Sequence, residues 1–167
     1  YVFEDFLFGF IDTEIEGLSP CKKEKKLDGD FKFKLIPDYV LETKNERFIG
    51  DAKYKIVYNN DNNSKNGIHQ NDLYQMIAYA IRFDILNIKL FYPKTIFSSD
   101  QTDHNSLKIN DTLANNKLIN INSYQLSIID KNMTLESLKE NKLLFQNFEN
   151  LKIKLKGELD KILFDLS

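Results

Sequence analysis

The stretch that decides the fold is residues 31–55, which read FKFKLIPDYVLETKNERFIGDAKYK. Apolar and charged side chains alternate at its start, which is the period of a β-strand, and the run continues to Glu42. The polar residues 43–46 predict a tight turn, and residues 47–55 predict the next strand. We therefore expect two neighbouring antiparallel strands.

Upstream of this stretch, apolar side chains at helical spacing predict a helix over residues 2–16. The glycine, serine and proline of residues 17–20 end it. Residues 21–27 form a candidate polar strand, and Asp28-Gly29 is a hairpin turn signal.

Downstream, residues 58–67 are rich in asparagine and predict a polar loop. The next helix is expected to start near Asn71 or Asp72, either of which is a suitable cap, and to end at about Phe83. Residues 88–92 predict a short apolar strand.

The remainder of the chain is predicted less sharply. Residues 94–116 read as a polar loop, and residues 117–130 as one or two strands. Residues 135–166 have helical spacing, with a break expected near Gly157. With no internal repeat or linker, we expect one α/β domain over 1–167, with a mixed central sheet, an αβββαβ order and a long carboxyl-terminal helix.

Composition narrows the class of protein. The chain has 167 residues, 42% of them hydrophobic, and a net charge of −2, which excludes a disordered chain and a strongly basic nucleic-acid coat. An enzyme that meets DNA through a local patch remains compatible. One cysteine excludes a disulfide scaffold, and no stretch is suited to span a membrane. Because the chain starts at Tyr1, we expect a fragment of a longer protein.

Three charged side chains stand out around the predicted turn. Asp38 lies on the first strand, while Asp51 and Lys53 lie two residues apart on the second and so share a face. The turn brings Asp38 opposite that strand, so two carboxylates and an ammonium converge. The alternative is an exposed strand with one cross-strand ion pair.

Such a cluster suits a hard divalent cation. Mg²⁺ takes one or two protein carboxylates together with water and phosphate oxygens. A lysine beside the ion is placed to orient the attacking water and to stabilise charge that builds on a phosphoryl group.

These residues resemble a known signature. Pro37-Asp38 followed by Asp51-Ala52-Lys53 is similar to the PD-(D/E)xK nuclease motif, most closely to the nuclease domain of McrC, the cleavage subunit of modification-dependent McrBC-type restriction systems. The matching pieces lie between residue 1 and about residue 93: Phe3-Glu4, 35–38, 50–55, 72–79 and Tyr92-Pro93.

The resemblance implies a restriction-endonuclease-like core and a set of roles. Asp38, Asp51 and the carbonyl of Ala52 would hold Mg²⁺, for which Mn²⁺ would substitute, and Lys53 would be the catalytic lysine. Glu4 matches the acidic residue on the first helix of that superfamily. This fits a physical oddity, because a carboxylate among phenylalanines is costly to bury without a partner such as a metal or Lys53. An exposed position near the chain end is the alternative.

The resemblance also covers the second helix. Gln75 and Tyr79 are four residues apart, lie on one helical face and match a Gln-x-x-x-Tyr element of these nucleases. Gln75 would reach a DNA phosphate or orient the lysine, and Tyr79 and Lys55 are candidate DNA contacts. The alternatives are an ordinary amphipathic helix and a solvated lysine.

The sequence permits two interpretations of one basic run. Lys22, Lys23, Lys25 and Lys26 form the densest cluster of positive charge in the sequence. They either line a path for DNA or protect an edge strand from pairing with another chain.

The expected function is therefore a Mg²⁺-dependent DNA endonuclease domain. By resemblance, a McrB-like AAA+ GTPase partner recognises the modified DNA, in the cytoplasm of a bacterium or archaeon. The alternatives are a nuclease of another repair or restriction pathway, and a non-catalytic module that clamps DNA.

Overall fold

The computed structural model describes residues 2–26, 34–44, 46–55, 68–94, 104–110, 116–129 and 141–164, with only the backbone of 141–144. The expected turn at Asp28-Gly29 and the expected loop at 58–67 lie outside these residues. The elements in chain order are α1 (Val2–Glu14), β1 (Lys25–Lys26), β2 (Lys34–Leu35), β3 (Tyr39–Glu42), β4 (Arg47–Ala52), α2 (Gln70–Phe83), β5 (Asn87–Pro93), β6 (His104–Asn110), β7 (Leu118–Leu126) and α3 (Asn141–Phe164).

A five-stranded mixed sheet is the centre of the fold. Its order is β3-β4-β5-β7-β6, and β1 and β2 form a separate two-stranded ribbon. The pairs β4–β5 and β5–β7 are parallel, whereas β3–β4 and β6–β7 are antiparallel. The mixed α/β class and the carboxyl-terminal helix are as predicted.

Helices cover both faces of the sheet. Met76 and Tyr79 of α2 belong to the core on one face, and Leu7 of α1 and Leu159 of α3 belong to the core on the other. Because β4 is covered on both faces, its residues from Phe48 to Asp51 are buried. A charged side chain on a strand that is covered on both faces must be removed from water, which costs free energy.

The predicted hairpin is present, but its second strand ends at Ala52 rather than at residue 55. Asp38 and Lys53, which were predicted to lie on the two strands, lie just outside them. Tyr39 pairs with Gly50 in the antiparallel register of β3 and β4. The backbone N–H of Thr43 donates a 2.8 Å hydrogen bond to the carbonyl of Glu46, which closes the turn between the strands.

The strand expected over 31–42 is divided into β2 and β3 within its described part, because Pro37 has no N–H with which to continue a ladder. The strand expected over 21–27 is reduced to β1 and an isolated bridge between Cys21 and Val40. Among the residues described before α2 there are therefore four strands rather than three, and the predicted αβββαβ order is corrected accordingly.

Helix α2 begins earlier than expected. It starts at Gln70 with His69 as its N-cap, and no side chain caps it. Neither Asn71 nor Asp72 is the cap, because both lie inside the helix, where the Asp72 carboxylate pairs with Lys55.

The prediction was least accurate after residue 93. Strand β6 lies within the expected loop over 94–116, where its apolar side chains Leu107 and Ile109 are too few to give a clear alternating pattern. The described residues 117–129 hold one strand, β7, and helix α3 continues through Gly157 without a break. None of the described helices is long and apolar enough to cross a membrane.

Candidate active site

The two predicted acidic residues lie side by side at the carboxyl end of β4. The register that pairs Tyr39 with Gly50 places Asp38 opposite Asp51 when it is extended by one residue. The Oδ2 atom of Asp38 accepts a 2.7 Å hydrogen bond from the backbone N–H of Ala52. The hairpin therefore sets the separation of the two carboxylates.

Asp51 is a buried carboxylate with few partners. It is 1% exposed and forms an ion pair with Lys53. Apart from this pair, neither of its oxygens accepts a hydrogen bond from the residues described. A buried anion left in this state is costly unless a cation completes its surroundings.

Burial disfavours the charged form of both acids, and a neighbouring carboxylate adds to this effect: Asp38 at Asp51, and Glu4 at Asp38. Burial raises the pKa of Asp51 to about 7, the Asp38 carboxylate adds to this increase, and the Lys53 ammonium opposes it. Burial also raises the pKa of Asp38, while the hydrogen bond from Ala52 opposes the increase. The two acids thus form one coupled electrostatic unit that gains from added positive charge.

Lys53 is held in place by a chain of hydrogen bonds. Its Nζ donates to Oε1 of Gln75 at 3.0 Å, and Nε2 of Gln75 donates to the Tyr79 hydroxyl at 2.7 Å. That hydroxyl donates in turn to the carbonyl of Ile36 at 2.9 Å. Because Ile36 lies just before Pro37 and Asp38, these hydrogen bonds connect the lysine to the segment that contains the first acid.

Tyr79 therefore contributes to the site through other residues. It is buried, and burial raises the pKa of its hydroxyl, which stays protonated and able to donate. The prediction that Tyr79 contacts DNA remains untested, but its hydroxyl is already used by Gln75 and the backbone.

Glu4 has a partner that the sequence did not indicate. Its Oε1 accepts a 2.9 Å hydrogen bond from Nζ of Lys22, and its carbonyl accepts a 2.7 Å hydrogen bond from the Tyr39 hydroxyl. The Glu4 carboxylate still lies near enough to Asp38 to raise the pKa of that acid. The partner predicted for Glu4 was a metal or Lys53, whereas Lys22 occupies that position here.

Lys55 is also paired. Its Nζ lies 2.7 Å and 2.8 Å from the two carboxylate oxygens of Asp72, which is buried at the start of α2. This pair joins the residues after β4 to the helix that carries Gln75. The predicted role of Lys55 in phosphate binding remains a prediction.

The donor set fits a hard divalent cation of the Mg²⁺ type. Asp38 and Asp51 supply carboxylate oxygens, and two of the atoms without hydrogen-bond partners belong to Asp51. In the part of the chain that the structure describes, no group of three or more His, Cys, Asp or Glu side chains is placed to hold a metal. Two carboxylates are sufficient for Mg²⁺, which completes its shell with water and substrate oxygens.

Comparison with known proteins places these residues in a family. Residues 1–93 match the family described as McrBC 5-methylcytosine restriction system component. The chain belongs to this McrBC family. The matched region contains all the residues of the candidate site, and the resemblance drawn from the motifs is confirmed.

A solved structure has a similar fold. It is described as a refined half-complex from the tetradecameric assembly of Thermococcus gammatolerans McrB AAA+ hexamers with bound McrC. The similarity has a TM-score of 0.61 at 15% sequence identity and covers 96% of this chain but 32% of the matched chain. The chain therefore spans about a third of the length of that relative. No curated protein sequence matches it.

The part of this McrBC chain beyond the matched region is joined to the sheet through α3. Helix α3 packs beneath the sheet on the face that α1 also covers. Glu158 of α3 accepts hydrogen bonds from the backbone N–H of Ser127 at 2.9 Å and from its hydroxyl at 2.6 Å. This contact joins the helix to the end of β7.

Proposed function

We propose that this McrBC chain is a Mg²⁺-dependent DNA endonuclease domain of the McrC type. The observation that carries the proposal is the buried Asp51 carboxylate, which lies opposite Asp38 and beside Lys53. Buried charges of this kind raise the free energy of the folded protein, so they are typical of sites where a ligand offsets the cost.

Three groups of the protein are candidate ligands of the cation. Asp38 and Asp51 would hold Mg²⁺, and Mn²⁺ would substitute; the carbonyl of Ala52 is a further candidate ligand. A bound Mg²⁺ supplies a water of lowered pKa and polarises the phosphate. Asp38 is kept in a fixed orientation by the backbone of Ala52, which reduces the reorganisation needed on binding.

Lys53 is the group that acts on the substrate. Its side chain is 15% exposed, and its Nζ donates to Gln75, which holds the ammonium beside Asp51. From this position it would orient the attacking water and donate to a phosphoryl oxygen as negative charge develops there. Gln75 and Tyr79 position the lysine.

A partner is part of the proposal. The similar solved structure is described as containing McrB AAA+ hexamers with bound McrC. We propose that this chain likewise works with an AAA+ GTPase, which recognises modified DNA and delivers it to the site. The net charge of −2 supports this dependence, because it gives the chain no long-range attraction to a polyanion.

Substitution of the acids tests the function directly. Asp38→Asn and Asp51→Asn should each abolish Mg²⁺-dependent cleavage and weaken Mg²⁺ binding measured by calorimetry. Lys53→Ala should reduce the cleavage rate by about 10²- to 10³-fold while Mg²⁺ still binds. These assays use the complete gene product with its AAA+ partner.

Matched controls separate the site from general effects. Asp84 is exposed at the end of α2 in a left-handed conformation that asparagine tolerates, so Asp84→Asn should leave cleavage unchanged. Lys154 is exposed on α3, and Lys154→Ala should behave in the same way. Cleavage that persists in excess chelator, or in Asp51→Asn, would overturn the proposal.

A further inference from the structure

A lysine-rich segment borders β3 and the residues just before it, which include Asp38. We call residues 22–26 the lysine edge. The backbones of Cys21 and Val40 exchange hydrogen bonds of 3.1 Å and 2.8 Å, which dock the start of this segment against β3. Farther along, Lys25 pairs with Leu35 in the antiparallel ribbon of β1 and β2. The lysine edge therefore runs beside residues 34–40.

This placement brings the lysine edge to one side of the acidic cluster. Lys22 contacts Glu4 at 2.9 Å, and its charge lowers the pKa of Asp38. At the other end, the guanidinium of Arg82 on α2 donates to the carbonyl of Lys26. The segment is thus held at both ends, by Glu4 at Lys22 and by Arg82 at Lys26.

The lysine edge concentrates positive charge on a chain whose net charge is negative. Four of its five residues are lysines, and all five are exposed. Its single acid, Glu24, is paired at 3.0 Å with Lys34, a lysine outside the segment. Five residues of fully extended backbone span about 13 Å, which is about the axial length of four base pairs.

We propose that the lysine edge binds the phosphate backbone of the DNA duplex whose phosphodiester enters the acidic site. This inference rests on the proposed function and names the surface that function would use. Lysines are compact charges on flexible stems, and contacts of this type position a backbone without reading its sequence. The segment thereby holds the duplex against the acids, which would otherwise repel it.

Protection of an edge strand is the competing explanation. Lysines on an exposed edge discourage pairing with another chain. That role predicts association of the protein when the lysines are neutralised, but it predicts no change in how DNA binding responds to salt.

The test compares two sets of three substitutions that remove the same charge. Lys23, Lys25 and Lys26 are changed to glutamine, which leaves the Lys22–Glu4 pair intact. In the control, the exposed lysines Lys44, Lys154 and Lys161 are changed to glutamine. Affinity for a short unmodified duplex is measured against salt concentration, in chelator, with the complete gene product.

The lysine-edge variant should show a smaller slope of log K against log salt, by up to about 2.7, because each phosphate contact contributes about 0.9. The control variant should keep the slope of the unaltered protein. Equal changes in both variants, no change in either, or no measurable binding by the unaltered protein would overturn the inference. The inference would also be overturned if the lysine-edge variant formed oligomers while its monomer bound DNA with the salt slope of the unaltered protein.

The test of the lysine edge can fail or succeed independently of the test of the proposed function. Asp51→Asn should lose cleavage and keep the salt slope, because Asp51 is buried and adds no phosphate contact. If the unaltered protein never cleaves DNA but the slope still differs between the two triple variants, the function fails and the binding surface stands. If cleavage depends on Asp51 but the slopes are equal, the function stands and the surface fails.

Discussion

The carboxylate of Asp38 accepts a hydrogen bond of 2.7 Å from the backbone N–H of Ala52. One strand of the hairpin thus orients an acid through the backbone of the other. Because the contact uses a main-chain donor, it depends on the register of β3 and β4 and not on any second side chain. The geometry of the acidic pair is therefore determined when the hairpin forms.

Asp51 makes stability depend on pH in a particular direction. Its pKa is raised from 3.8 to about 7 in the folded protein, so the folded state binds its proton more tightly than the unfolded state. In chelator, this contribution to the free energy of unfolding is fully present below about pH 4 and is lost as pH rises through about 7. Chemical denaturation measured across this range should show the decline.

Asp51→Asn provides the control for that measurement. It removes the titration, so the variant should be more stable than the unaltered chain at pH 8 in chelator and should differ little near pH 4. Added Mg²⁺ should stabilise the unaltered chain at pH 8 and have little effect on the variant, because a ligand bound only by the folded state raises its stability. Identical pH profiles for the two proteins would contradict the assigned burial.

Two buried tyrosines should respond oppositely to loss of the hydroxyl. Tyr79→Phe removes hydrogen bonds to Gln75 and to the carbonyl of Ile36. We expect a loss of about 1–3 kcal/mol in the free energy of unfolding. Cleavage should slow as well, because Gln75 then holds Lys53 less firmly.

Tyr92→Phe is the matched comparison. Its hydroxyl is buried on β5 and has no hydrogen-bond partner among the described residues. Removing an unsatisfied buried group is neutral or favourable, so the melting temperature should stay the same or rise. A marked loss of stability would show that the hydroxyl is hydrogen-bonded after all.

The sequence was sufficient for the residues that are close along the chain. Asp38, Asp51 and Lys53 lie on one hairpin, so alternation along a strand and one tight turn determine where they meet. Gln75 and Tyr79 share a helical face for the same local reason. The Lys53 ammonium donates a hydrogen bond to Gln75, and both roles that the sequence left open for Gln75 stay predictions.

Contacts between elements that are far apart in the sequence could not be predicted from local periodicity. Lys22 reaches Glu4 because the isolated bridge between Cys21 and Val40 holds its segment against β3. A bridge of one residue pair leaves no periodic pattern in the sequence that would predict it. Lys55 and Asp72 meet because α2 packs over the end of β4. A lysine in a polar run gives no signal of which acid it will pair with.

Gly50 should tolerate no side chain. An added Cβ would lie 2.9 Å from Cδ2 of Tyr39 and 3.1 Å from Cδ1 of Leu41, inside the core beneath α1. Gly50→Ala should therefore cost about 1–3 kcal/mol of unfolding free energy. Because Tyr39 also holds the backbone of Glu4, the variant should lose cleavage activity in addition.

Gly157→Ala is the control for the change of glycine to alanine. Gly157 lies within helix α3, and nothing is within 4 Å of an added Cβ. Alanine should raise the free energy of unfolding by about 0.5–1 kcal/mol, because it restricts the unfolded chain. If Gly50→Ala and Gly157→Ala changed the melting temperature by similar amounts, the close packing around Gly50 would not explain its intolerance of a side chain.

Cleavage by this chain should depend on its partner. Its net charge of −2 offers no general attraction to DNA, and a few lysines beside the site neutralise only a small number of phosphates. We expect the chain alone to bind duplex weakly, with affinity that falls steeply as salt increases, and to cut it poorly. Addition of the complete subunit, an AAA+ partner and GTP should restore cleavage of a plasmid that carries 5-methylcytosine, the base named in the family description, but not of an unmodified plasmid. Gel assays of both plasmids, with and without the partner, measure this. Efficient cutting of unmodified duplex by the chain alone at physiological salt would favour a nuclease of another pathway.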